Sequence, residues 1–182
     1  MQALATVEGD PIVEMIHGGQ HRDALAACAR AHQMVLGRLC MALLGSQADA
    51  DEAVQETLLR AHRAMVSYRG DGSVKAWLCG IARHVCAHIL ETRRRGREVL
   101  ELVPTEGEAR DTFAARRRAR VVRAALEKLK PSEREALVLR YVADLSHREI
   151  ADACGLDEAA ARKRVSRALE RLRAVMPDEE TE

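Results

Sequence analysis

The chain has 182 residues, enough for one large domain or two small ones, and 47% of them are hydrophobic while only 2% are aromatic. A core with so few rings must be built from Leu, Ala, Val and Ile, which points to packed helices rather than sheets. The formal net charge of +1 decides nothing alone, because its distribution is uneven.

The first third is acidic, through Glu8, Asp10, Glu14, Asp23, Asp49, Asp51, Glu52 and Glu56. Arginine runs follow at Arg93-Arg94-Arg95-Gly96-Arg97, at Arg116-Arg117-Arg118 and from Arg162 to Arg173, before an acidic "PDEETE" end. Glu8 and Asp10 interrupt any apolar run at the start, so no signal peptide is expected. No apolar stretch approaches the length of a membrane span. Five cysteines at irregular spacing fit reduced thiols better than a disulfide framework, so a cytoplasmic protein is expected.

The first predicted helix lies within His21 to Gly45, where Leu25, Cys28, Val35, Leu39 and Leu43 recur near helical spacing and Gly45 is placed to end it. Ser46, with Asp49 three residues on, marks the start of the next helix, running to about Val66. Val54, Leu58, Ala61 and Met65 share one stripe of it, while Glu52, Gln55, Glu56 and Arg63 project elsewhere. "YRGDGS" (Tyr68 to Ser73) reads as a loop. A long helix from about Val74 to Arg94 would bury Leu78, Ile81, Val85 and Ile89.

Periodicity fades between Gly96 and Arg110, where Pro104, Gly107 and several acids mark a linker. A second helical unit follows, with Val121, Val122, Leu126 and Leu129 as its first apolar face. Pro131-Ser132 opens another helix, with Ser132 and Glu135 in capping-box spacing and Leu137, Leu139 and Val142 apolar.

The stretch "SHREIADACGLDEAAARKRVSRALERLR" carries the most specific local pattern. Ser146 and Glu149 repeat the capping-box spacing, Ile150, Ala151 and Cys154 face inward, and Gly155 can take the left-handed stop. Leu156 plugs the turn and Asp157 caps a second helix, in which Ala161, Val165, Leu169 and Leu172 pack inward. Arg162, Lys163, Arg164, Ser166 and Arg167 therefore point in other directions, several outward. That is the logic of a helix-turn-helix whose second helix enters a major groove, where arginine bonds guanine edges or phosphates.

The pairing of this motif with "ADADEAVQETLLRAHRAMVSYRGDGSVKAWLCGIARHVCAHILETRRR" (Ala48 to Arg95) narrows the reading. The earlier segment resembles the second conserved region of bacterial RNA polymerase sigma factors. "LEKLKPSEREALVLRYVADL" with the helix-turn-helix resembles their fourth region. Length and the absence of an intervening domain are similar to the extracytoplasmic-function (ECF) subgroup.

The resemblance implies an all-α fold of two small helical domains joined by a flexible linker. Residues 1–96 would form the region 2 bundle, 97–111 the linker, 112–176 the region 4 helix-turn-helix and 177–182 an acidic tail. It also implies three surfaces. Asp51, Glu52, Gln55 and Glu56 match the segment that docks on core polymerase. Tyr68 to Ser73 matches the loop that receives an extruded minus-ten base, with Tyr68, Arg69, Lys75, Trp77, Arg83, His84, His88, Arg93 and Arg94 as the minus-ten DNA-binding set. Trp77, Gly80, His84 and His88 lie along one stripe, and Lys75, Arg83 and Arg93 to Arg95 would hold the backbone. Arg162, Lys163, Arg164, Ser166 and Arg167 match the minus-thirty-five readers, with Arg148 near phosphate.

The chain departs from the family pattern at Ala159, Ala160 and Ala161, so base readout is expected to lean on Arg162 to Arg167. Cys79 and Gly80 stand where bulkier residues are frequent. The implied partners are RNA polymerase core, promoter DNA as duplex and as non-template single strand, and an anti-sigma protein. No catalysis, cofactor, metal or membrane insertion is expected. Two rivals exist: a metal or redox sensor around "CGIARHVCAHI", and a dimeric helix-turn-helix regulator acting without core polymerase.

Overall fold

The computed structural model describes residues 9–97 and 121–176. Among them every regular element is helical. Asp10 opens α1 (Pro11–His17), its carboxylate accepting from the Ile12 N–H at 2.9 Å, and Pro11 occupies the first turn, where no N–H is needed. This short helix, which buries Ile12 and Ile16, lies outside the elements expected from the sequence.

Helix α2 (His21–Leu44) stops at Gly45, whose φ of 73° is the left-handed conformation that glycine adopts without a Cβ penalty. Ser46 then caps α3 (Gln47–Ala64), and a 3₁₀ turn, Met65–Ser67, completes the run predicted as one helix to Val66. Helix α4 spans Val74–Arg97, three residues past the expected end. Leu36, Leu39, Leu78 and Met65 are almost wholly buried where α2, α3 and α4 meet. Each such side chain contributes about 1.5–3 kcal/mol of burial.

Residues 121–127 form α5. Here Ala125 and Leu129 face the core, while Val122 is 40% exposed, contrary to its predicted inward place. Helix α6 (Pro131–Tyr141) begins one residue before the predicted cap. Proline at its first position sets the start, so Ser132 lies inside the helix. Glu133, not Glu135, reaches back to the Lys130 N–H at 3.4 Å.

A turn through Asp144, at φ 51°, leads to α7 (His147–Cys154), and Gly155 at φ 65° separates it from α8 (Glu158–Val175). Both predicted caps of this motif form: Ser146 with Glu149, and Asp157 with the Ala160 N–H at 2.7 Å. Leu139, Leu145, Ile150, Ala161, Val165 and Ala168 close the core of α6, α7 and α8. The two helical groups also touch, α4 lying against α7 and α2 against α6. Apart from Arg97, the predicted linker lies outside the described residues, as do Arg116 to Arg118 and the acidic tail.

Candidate nucleic-acid interface

On α3 the apolar stripe turns inward and leaves Asp51, Glu52 and Gln55 exposed, with Glu56 beside them half-buried. Gln47 donates to Asp51 at 2.8 Å, and Arg60 pairs with Glu56 at 2.6 Å. Arg60 holds the Glu56 carboxyl below its ordinary range, chiefly through that hydrogen bond. The quartet is thus one acidic and amide strip along a single helix, a surface that complements a basic partner.

The loop after α3 is ordered by its own groups. The Tyr68 hydroxyl donates to the Gly72 carbonyl at 3.0 Å, and Ser73 accepts from the Ala76 N–H at 3.1 Å to start α4. Tyr68 packs on Trp77 with ring centroids 4.7 Å apart, and burial pushes its phenol up to about 12. Residues 67–73 with Ala76, Trp77 and Asp152 line a recess of about 320 Å³. Trp77 is half-buried, serving the core with one part of its ring system and the recess with another.

The structure divides the predicted minus-ten set. Arg69, His84 and His88 are exposed. Lys75 instead donates to the Asp144 carbonyl at 3.0 Å, and Arg83 pairs with Glu135 at 3.0 Å. Arg83 also contacts the His84 ring nitrogen at 2.9 Å, and partial desolvation against the helix surface, then the guanidinium, lower the His84 pKa although the ring is largely exposed. Arg93 is bound to Asp49 and donates to the Leu44 carbonyl at 3.4 Å, tying together the ends of α2, α3 and α4. Arg94 and Arg95 both meet Glu91, at 3.0 and 3.1 Å, on the open surface.

On α8, Arg162, Lys163, Ser166 and Arg167 are exposed and, with Glu158, Ala159 and Glu170, line a shallow open concavity. Arg164 is half-buried on the flank of this face, and Arg148 is exposed on α7. Arg171, not singled out from the sequence, bonds Glu133 and ties α8 to α6. That pair adds a polar contact to the apolar packing of α6 on α8, and no local pattern in the sequence marks it.

Around "CGIARHVCAHI" the side chains diverge. Cys79 and Cys86 are buried among apolar neighbours while His84 and His88 face solvent. Burial pushes Cys79 up to about 12 and Cys28 up to about 11, the reverse of what thiolate chemistry needs. Among the described residues no three His, Cys, Asp or Glu side chains are grouped to hold a metal ion. Nor is any helix there long and apolar enough to cross a membrane.

Two family models match the chain: one described as Sigma-70 region 2, over residues 28–96, and one described as Sigma-70, region 4, over residues 119–172. The probable RNA polymerase sigma-C factor of Mycobacterium bovis is 35% identical, over 87% of this chain and 86% of its own length. The ECF RNA polymerase sigma factor SigG of Mycobacterium tuberculosis is 32% identical over 87% of this chain but 50% of its own, so the chain spans about half of that relative. The sigma factor RpoE from Bartonella quintana, solved in complex with the anti-sigma factor NepR, superposes with a TM-score of 0.60 at 25% identity, over 91% of this chain and 99% of that one. CnrH, solved with the cytosolic domain of CnrY, has the same fold: TM-score 0.69 at 24% identity, covering 93% and 97%.

Proposed function

Because the chain belongs to the sigma-70 family of RNA polymerase factors, in its extracytoplasmic-function group, we propose that it is a transcription initiation factor that brings polymerase core to specific promoters and helps open them. Residues 28–96 and 119–172 match the two regions that divide this work. The observation that carries the reading is the segregation of surfaces. The acidic strip of α3 and the basic face of α8 lie on different helical groups, each with its side chains set outward by a packed apolar stripe.

In this reading Asp51, Glu52, Gln55 and Glu56 grip a basic helix of core polymerase. Arg162, Lys163, Arg164, Ser166 and Arg167 read the upstream element, the guanidinium groups reaching base edges and phosphates. Downstream, a base leaving the duplex enters the recess beside Tyr68 and Trp77, where an aromatic face replaces the stacking it has lost. Arg69, His84 and His88 line the approach, and Lys75 and Arg83 follow the backbone. The factor itself carries out no bond-making; the polymerase does. The RpoE complex with the anti-sigma factor NepR supports an anti-sigma partner for this chain too, and the factor acts in the cytoplasm, where polymerase is.

The test is direct. Purified protein is mixed with bacterial core polymerase lacking its own sigma subunit and a library of promoter fragments. The expected result is a stable complex and transcripts from a subset sharing two spaced elements. Failure to associate with core would overturn the reading, whatever the affinity for DNA.

A further inference from the structure

We propose that the recess between the ends of α2 and α4 on one side and α5 and α6 on the other binds a small amphipathic anion, a phosphate or carboxylate head on a linear apolar body. The seam between the two helical groups is tight at the start of α4, where Ser73 donates to Glu149 at 2.6 Å. Near the end of α4 the groups stand apart and leave a recess of about 470 Å³, a volume in the range of small-molecule sites. Leu43, Leu44, Leu90 and Leu126 supply its apolar wall. Leu43 and Leu44 are buried, whereas Leu90 and Leu126 keep part of their surface open. Apolar surface left in a concavity is what a hydrocarbon body covers.

Four arginines line the same recess, and they are not equivalent. Arg93 is bound to Asp49 and donates to the Leu44 carbonyl, and Arg94 meets Glu91 at 3.0 Å, so both already have a counter-charge. Arg123 and Arg134 are half-buried, and among the described residues neither side chain has a hydrogen-bond or ion-pair partner. The Arg123 side chain passes over Gly45, its Cδ 3.5 Å and its Cζ 3.9 Å from where a Cβ would stand. That sets a cation near the last carbonyls of α2, which explains Arg123 in part. No helix end explains Arg134, which lies in the first turn of α6. Two guanidinium groups partly withdrawn from water are costly together until an anion joins them. A phosphate or carboxylate accepts two parallel bonds from a guanidinium, and the acid on the wall, Glu127, is exposed and pairs with neither. A protein helix, about 10–12 Å across, needs an open groove rather than a recess of this size, so the occupant is a small molecule.

The site stands on these side chains and on the contact of α2 with α6, not on the function proposed above. Calorimetric titration of the full chain with octyl phosphate tests it, with octanol and inorganic phosphate as the two halves of the probe. Wild type should bind octyl phosphate at a single site with a Kd on the order of 10–100 μM, and each half roughly tenfold more weakly or worse. Arg134→Gln should weaken octyl phosphate roughly tenfold, through loss of a charged donor. Ala42→Leu, which narrows the recess without touching a charge, should weaken it as well. Arg95→Gln, on the open surface outside the recess, should leave the Kd within about twofold. The probe should raise the melting midpoint of wild type and of Arg95→Gln, but not that of Arg134→Gln, whose own transition without probe shows that it is folded. The same affinity in Arg134→Gln, Ala42→Leu and wild type would overturn the site. So would octanol binding as tightly as octyl phosphate, since the arginines would then have no part in it. Absence of saturable binding to wild type would overturn it too and leave the recess to a protein helix.

Discussion

Arg167 and Arg164 sit three residues apart on α8, yet one is exposed and the other half-buried. Replacing both with alanine should cost upstream-element binding about 1–3 kcal/mol for each base-contacting guanidinium, with core-polymerase affinity unchanged. Titration of a labelled promoter duplex, alongside a core-binding assay, checks this. Equal loss in the two assays would mean that the surfaces are misassigned. The outward residues of α8 were legible because a four-residue apolar rhythm leaves them nowhere else to go. The half-burial of Arg164 was not, since it depends on how α7 and α8 cross.

The helix-turn-helix boundaries were readable from cap chemistry alone. The Ser146 N–H and hydroxyl donate to Glu149 at 2.8 and 2.9 Å, and the Glu149 N–H returns to the hydroxyl at 3.2 Å. Ser146→Ala should therefore destabilise the protein by about 1 kcal/mol, seen as a lower urea midpoint with an unchanged slope. Ser132→Ala, inside the first turn of α6, should shift the midpoint by no more than a few tenths of a kcal/mol. The sequence offered both serines with the same three-residue spacing to glutamate. Only Pro131, whose ring presets the first helical φ, shifts the real start and frees Glu135 for Arg83.

At the scale of the molecule, two histidines should give stability a dependence on acid. Burial lowers the pKa of His32, and burial with Arg83 lowers that of His84, both from an ordinary 6.5. The unfolded chain then binds protons that the native one refuses. Stability contributed by the neutral rings is present above about 6.5 and declines as pH falls toward the lowered native values. Thermal unfolding followed from about pH 7.5 to 5.5 should show a falling midpoint, and His32→Gln with His84→Gln should flatten it. The all-helical class and two regions were visible in composition and motif. The seam between them was not, because its partners stand 76, 69 and 52 residues apart and no local period announces them.

Arg93 shows what that distance conceals. Its guanidinium is mortared between Asp49 and the last carbonyl of α2. A cation so occupied displaces no condensed counter-ions from an arriving polyanion, whereas one facing solvent does. In the proposed complex with promoter DNA, the ionic footprint of this arginine run is therefore smaller than a tally of its side chains, and its first member belongs to masonry.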